Sequence, residues 1–406
     1  MAPRRSAPLH SARGQRARPG WSTPAAGLLA MVLAASAVAF ALTRGGASNV
    51  EAAAAVQDSG PAQVYAYPPN GSTGVALDSP VSLVSPNGRL LSVTVSGGQV
   101  TGRMDPNGHG WTAEHTSLAP NTTYTVTALT VGANGAKGHF QASFTTVAPR
   151  AVLSAKITPS SETVGVGEPV IVKFSAPVLN KAEVASRISV TGTKPFVGGW
   201  HWFSDTVAHF RPSVYWPANA QFTVTANLAG VDAGNGVWGE SSFTATFQTG
   251  DAHVSVADLQ SHQMQVYDNG QLVRTIPISG GRPQYPTMNG VHIVLDKEPS
   301  VIMDSATVGI PRNSPDGYYE TVYDDVHISD TGEYVHAAPW SVGAQGSTNV
   351  SHGCINISPS EAQWFYGFSQ VGDIVAVQGS PRPPDPGDPS TMDWNLPWPQ
   401  WDNSTT

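Results

Sequence analysis

Short runs of alternating apolar and polar residues, separated by clusters of Gly, Pro, Asn and Asp, fill most of the 406-residue chain. Across residues 61–150 the runs 79–84, 90–95, 123–131 and 139–145 recur at intervals of roughly 8–12 residues, which is the strand spacing of a β-sandwich. The theme returns over 151–250. Pro120-Asn121-Thr122-Thr123-Tyr124-Thr125-Val126-Thr127-Ala128 is echoed by Pro217-Ala218-Asn219-Ala220-Gln221-Phe222-Thr223-Val224-Thr225-Ala226. Tyr124 and Phe222 stand 98 positions apart, one sandwich length. Phe144-Thr145-Thr146 and Phe247-Gln248-Thr249 read as the two closing strands. Neither module contains a cysteine or a convergent catalytic cluster, so both read as spacers. His201, between Trp200 and Trp202, offers a carbohydrate-stacking patch, but packing in a core or between domains is the more ordinary use of such rings.

A third β-rich region, 251–378, has strand patterns at 254–257, 264–267, 272–278, 291–295 and 300–303. Asp268-Asn269-Gly270 joins the second and third as a hairpin signal. The best helix opens at Ser358, with Pro359 at its first position, Glu361 completing a capping box, and Ala362, Trp364 and Phe365 behind it. A last strand follows at 374–377. Residues 379–406 are rich in Pro and carry Trp394, Trp398 and Trp401; three tryptophans predict packing against the preceding domains rather than a loose tail. The fold class expected is mainly β, with few helices.

The N-terminus has a different pattern. Residues 1–24 are basic, and residues 25–42 hold no charge, about the minimum length for a spanning helix. Arginines before this run place the N-terminus in the cytoplasm. Segment 25–43 is thus read as a membrane anchor, with a cleaved signal peptide as the rival reading from its Ala-x-Ala sites. No cysteine stands at the end of the run, which excludes a lipoprotein anchor. Residues 44–60 read as a linker, and under either reading the body is exported.

Charge refines the choice of partner. The formal net charge is −8, yet residues 1–44 hold six arginines and no acid. The remaining 15 basic residues face 29 acidic ones, a net −14, and such a body is unsuited to nucleic acid, which needs clustered Lys and Arg.

Candidate chemistry centres on Cys354, the single cysteine of the chain. It cannot form an internal disulfide. Most free cysteines are small buried hydrophobes, but Ser351-His352-Gly353-Cys354-Ile355-Asn356 crowds this thiol with small and polar groups, and His336 lies 18 positions upstream. An imidazole that takes the thiol proton makes a nucleophile. His336 is the favoured base because Ala337 beside it offers a backbone carbonyl to hold Nδ1–H; His352 competes, being two residues from the thiol. The N–H groups of Gly353 and Cys354 are candidate oxyanion donors. Asn356 reads as a backbone-fixing residue more than a substrate contact. Asp304, Asp324 and Asp325 are possible partners for substrate amines, the last two reading better as solvated loop charges. A zinc peptidase is disfavoured because no His-Glu-x-x-His pattern occurs; no metal or cofactor is expected.

His336, the 18-position gap and Ser-His-Gly-Cys-hydrophobic-Asn resemble the active-site signature of the L,D-transpeptidases of YkuD type, bacterial enzymes that cross-link cell walls. The match continues through Ala338-Pro339-Trp340-Ser341-Val342-Gly343-Ala344-Gln345-Gly346 and Ser358-Pro359-Ser360. Asp304, Ser305, Gly309, Pro311, Asn313-Ser314-Pro315 and Gly317-Tyr318 are similar to the family's lid. The layout resembles the large mycobacterial members: an anchor, two immunoglobulin-like domains, the catalytic domain and a Trp-rich tail. The resemblance implies His336 as base, His352 as a positioning residue and Tyr318 as an oxyanion donor. Met303, Trp340 and Ser351 look like pocket walls. Two positions depart from the family: Ala337, where many relatives have Ser, and Thr287-Met288-Asn289-Gly290 in place of Thr-Pro-x-Gly, read as turn variation away from the chemistry. The substrates implied are a peptidoglycan tetrapeptide stem as donor, cut between diaminopimelate and D-Ala, and a second stem as acceptor, giving a 3→3 cross-link. Carbapenems would acylate Cys354. Hydrolysis by an L,D-carboxypeptidase and a non-catalytic wall-binding protein are the alternatives.

Overall fold

The computed structural model describes residues 60–114 and 117–401. The basic segment and apolar run at the N-terminus lie outside these residues. Among the described residues no helix is long and apolar enough to cross a membrane.

Alternation of buried and exposed residues builds the first sandwich. One sheet orders Tyr65–Tyr67, Ser82–Val84, Gly110–Ala113 and Gly102–Met104; the other orders Ser72–Val75, Lys137–Thr146, Thr123–Gly132 and Gly88–Ser96. Leu83, Trp111, Tyr124, Val126 and Phe144 fill the space between them.

The second sandwich repeats the arrangement. One sheet orders Ala155–Thr158, Val170–Phe174, Val207–Pro212 and Gly198–Trp202, the other Thr163–Val164, Ser242–Thr249, Gln221–Asn227 and Ile188–Gly192. The sequence echo marks equivalent places. Asn121 and Asn219 both take positive φ, and Thr146 and Thr249 both bond the turn that precedes the echoed strand. Tyr124 stacks on Phe144 as Phe222 stacks on Phe247.

In the third region, one sheet runs Gln271–Pro277, Gln263–Asp268, His253–Asp258, Ile374–Gln378 and Gly290–Ile293. The other runs Asp296–Asp304, Tyr319–Ser329, Glu333–Ala337 and Ile355–Ile357. Isolated bridges between Ser279 and Asn356 and between Gly281 and Ser351 link them. Asn269 (φ 47°) and Gly270 (φ 80°) make the expected two-residue hairpin. Helix Pro359–Phe368 begins as expected, Ser358 Oγ accepting from the Glu361 N–H. The reciprocal half of the capping box is absent: the Glu361 carboxylate is held by Arg274 at 2.8 Å, and that guanidinium lies over Trp364.

The second sandwich meets the third region through backbone. Gly165 and Gly167 N–H donate to the carbonyls of Val371 and Gly372 at 2.7 and 2.8 Å. A Cβ on Gly165 would lie 2.2 Å from the Asp373 nitrogen, so only glycine allows this approach.

The C-terminal extension closes the junction. Asn395 exchanges two hydrogen bonds with the backbone of Val291 in the third region. Trp394 Nε1 donates to the Gly167 carbonyl and Trp401 Nε1 to the Gly199 carbonyl. The Arg211 guanidinium lies 4.8, 5.2 and 4.6 Å from the rings of Trp394, Trp398 and Trp401. His201 stacks on Trp401, so it is spent on inter-domain packing and is not a sugar platform. Trp401 is fully buried. Trp401→Ala should therefore cost about 3–5 kcal/mol, the range for large-to-small core changes. Urea unfolding followed by tryptophan fluorescence checks this; a loss below about 0.5 kcal/mol, the range of ordinary surface changes, would show that the extension is not anchored this way.

Candidate active site

The strand Glu333–Ala337 pairs in parallel with Ile355–Ile357, with His336 opposite Asn356. Alternation then separates two faces. Val335, Ala337, Ile355 and Ile357 enter the hydrophobic core, so His336, Asn356 and, two residues before it, Cys354 share the other face. His336 and Cys354 become diagonal neighbours although 18 positions separate them. The turn before the thiol needs Gly353, whose φ of 136° disfavours any side chain. Ser351 Oγ staples this turn, accepting from the Gly353 N–H at 3.1 Å and donating to the Cys354 carbonyl at 2.6 Å.

His336 is buried, and its Nδ1 lies 3.0 Å from the Ala337 carbonyl. A carbonyl only accepts, so Nδ1 carries the proton and Nε2 keeps its lone pair. Desolvation pulls the imidazole pKa down to about 4, so the ring is neutral at pH 7. Burial pushes the Cys354 thiol up to about 12, opposed by the N–H of Tyr334, which donates to the sulfur. The resting pair is therefore a neutral thiol and a neutral base. The backbone carbonyl, not a side chain, orients the His336 ring, and Ala337 itself points into the core.

His352 is committed elsewhere. Its Nε2 accepts from the Arg282 guanidinium at 2.7 Å, and the ring also bonds the Asp316 backbone. Its ring packs against Tyr285 and Tyr318, centroids 5.2 and 4.9 Å away. Arg282 in turn pairs with Asp316 at 2.6 Å, and Tyr285 donates to the same carboxylate. Tyr318 is held by its backbone to buried Ser305, and burial, with the nearby Cys354, pushes its phenol up to about 12; it remains a hydrogen-bond donor throughout the neutral range.

Residues 252–377 match the L,D-transpeptidase catalytic domain (YkuD) family model, and residues 72–232 match a bacterial Ig domain model. The chain is 39% identical over 336 residues to L,D-transpeptidase 2 of Mycobacterium tuberculosis (strain CDC 1551 / Oshkosh), covering 82% of each protein. The chain belongs to the L,D-transpeptidase family. L,D-transpeptidase 1 of M. tuberculosis (strain ATCC 25618 / H37Rv) is 39% identical over 226 residues, 55% of this chain and 84% of that one. The solved structure of an L,D-transpeptidase in complex with imipenem aligns with a TM-score of 0.50 at 38% identity, covering 57% of this chain and all of that one. This L,D-transpeptidase is accordingly an acyltransferase of the cysteine type, mainly β, with Ig-like and YkuD parts.

Several expected roles change in this L,D-transpeptidase. The Gly353 N–H is taken by Ser351, so it is no oxyanion donor; the Cys354 N–H and the Tyr318 hydroxyl are the remaining candidates. Ser351 shapes the nucleophile turn and is not simply a pocket wall. Asn356 is buried and donates from Nδ2 to the side-chain Oγ of Ser341 at 3.0 Å, which ties the 339–341 turn to the sheet. Trp340 is 54% exposed, with its ring 6.1 Å from that of His336. Met303 is half-buried on the strand that enters the lid. Asp304 is paired with Arg312 at 2.8 Å, which holds its carboxyl down at about 2.

Asp325 overturns its expected solvation: it is fully buried, in a bulge opposite His336, and burial raises its carboxyl to about 7. The 287–290 turn is nearer the chemistry than expected, because Thr287 Oγ accepts from the Gly281 N–H, one residue from Arg282. Arg282, Tyr285 and Asp316 escaped sequence reading; the sole signal was a charged residue inside a Gly-Gly-Arg-Pro loop. Asp251, His253 and Asp268 could together face a cation, but the Asn269 amide already bridges the two carboxylates.

The geometry separates the two histidines experimentally. His336→Ala should slow acylation about 10²–10⁴-fold at pH 7, the usual cost of a positioned base, with partial recovery at alkaline pH as the thiol ionises unaided. His352→Ala should lose activity with little alkaline recovery. Acylation rates from pH 6 to 10 test this; recovery of His352→Ala alone would exchange the roles.

Proposed function

We propose that Cys354 forms a thioester with a peptidoglycan tetrapeptide stem and passes the acyl group to a second stem, making a 3→3 cross-link. His336 Nε2 takes the thiol proton as sulfur attacks the carbonyl between diaminopimelate and D-Ala. The oxyanion so formed faces the Cys354 N–H and the Tyr318 hydroxyl. The same imidazolium returns its proton to the departing D-Ala amine. The diaminopimelate side-chain amine of the acceptor then attacks the thioester, loses a proton to His336 and restores the thiol. Met303 and Trp340 wall the donor site, while His352, held by Arg282, supports Tyr318.

The observation that carries this reading is the buried His336 ring, its Nδ1 on the Ala337 carbonyl, placed diagonally from the only thiol of the chain. The imipenem complex of a relative supports acylation of Cys354 by carbapenems. The uncharged 25–42 run supports export of the body to the outer face of the membrane, held there by residues 25–43.

Cys354→Ala should abolish both turnover and covalent carbapenem attachment while leaving the melting profile unchanged. Mass spectrometry of the wild type with a disaccharide-tetrapeptide should show cross-linked dimer and released D-Ala. A product consisting of free tripeptide alone would make the protein a carboxypeptidase, and attachment of carbapenem to the variant would refute the nucleophile.

A further inference from the structure

A buried carboxylate lies behind the nucleophile turn and has no part in the acyl-transfer steps. Glu333 is 3% exposed, and its side chain is the nearest group that a Cβ at Gly353 would meet, at 3.9 Å. Both of its oxygens are engaged. Oε2 accepts from the hydroxyls of Ser329 and Thr331, and Oε1 accepts from the guanidinium of Arg382. The Gly332 N–H closes the same turn on the Ser329 carbonyl at 2.9 Å. This turn is the seat of the sulfur: Cys354 Sγ contacts the Gly332 carbonyl at 3.9 Å and accepts from the Tyr334 N–H.

Arg382 comes from the C-terminal extension, 49 positions beyond Glu333. It is fixed from its own side, its carbonyl accepting from the Asn289 N–H and its guanidinium reaching the Pro286 carbonyl. A buried carboxylate that lost this cation would either stand uncompensated beside the thiol or release the turn.

We propose that Arg382 is a positioning residue for the acyl transfer: paired with Glu333, it neutralises the charge buried behind the nucleophile turn and fixes the 329–333 turn on which the sulfur rests. The proposal rests on Cys354 as nucleophile. The other ionisable groups that face the thiol are Asp325, Glu320, Tyr318 and Tyr334, with His336 on the adjacent strand; Glu333 itself is also faced by His292. None of these is a cation at neutral pH that would replace Arg382. An uncompensated Glu333 disfavours the thiolate, so loss of Arg382 moves thiol ionisation to higher pH. Loss of the Glu333 charge moves it to lower pH.

Iodoacetamide alkylation reads this directly, because the chain has one thiol. Arg382→Met should slow alkylation about tenfold at each pH between 7 and 10, the effect of raising the thiol by one pKa unit. Glu333→Gln should speed alkylation over the same pH range, the double variant should return near the wild-type rate, and Arg382→Lys should keep the wild-type pH–rate profile. A melting curve accompanies each variant; should Arg382→Met fail to fold, Glu333→Gln and Arg382→Lys still decide the matter. Unchanged alkylation rates, or changes of one sign in both single variants, would overturn the proposal. Alkylation needs no substrate, so failure of the acyl-transfer reading would show separately, as wild-type protein that is alkylated at Cys354 but not acylated by a carbapenem.

Discussion

The parallel pairing of Glu333–Ala337 with Ile355–Ile357 is the constraint on which the site depends. These are short strands, five and three residues long, yet they divide two chemistries by alternation alone. One face buries Val335, Ile355 and Ile357; the other presents His336 and leads back to Cys354. A one-residue slip would bury the histidine in the core and turn isoleucines toward the pocket. The core therefore enforces the register, and the register sets the spacing of His336 and Cys354. The carbonyl that fixes the His336 tautomer belongs to the same strand, so the imidazole is oriented by the element that positions it.

Around that pair the protein uses polar groups as braces more than as reactants. Ser351, Asn356 and Glu333 each spend their hydrogen bonds on backbone turns or on other side chains. His352, Arg282, Tyr285 and Asp316 form a second brace that ties the lid to the nucleophile turn. The C-terminal extension links these local supports to the whole molecule. It reaches the second sandwich through Trp401 and the Arg211 cage, and the catalytic region through Asn395.

Much of this was legible in the sequence where the cause is local. Asp268-Asn269-Gly270 specifies its own turn, and Ser358-Pro359 begins a helix because the side-chain oxygen and fixed φ act within one turn. The Ser-His-Gly-Cys run and His336 marked the site through residue types and spacing. What escaped was set by contacts distant in the chain. Asp325 looked like a loop charge because neighbouring Asp324 and Tyr323 are polar, whereas a bulge in the strand turns it inward. Glu361 fitted a capping box, but Arg274, 87 positions away, offered a stronger partner than the backbone N–H. The Arg282–His352 contact spans 70 positions, and nothing in either local pattern signals the other.

The resting state at the centre of the site is a neutral Cys354 thiol beside a neutral His336 ring protonated on Nδ1. Nitrogen-15 correlation spectra of the histidine side chains at pH 7, assigned with a His336 variant, observe that proton. A single proton on His336 Nδ1, with Nε2 bare, is the predicted result. A ring protonated on both nitrogens, as in a thiolate–imidazolium pair, or on Nε2 alone, would contradict it.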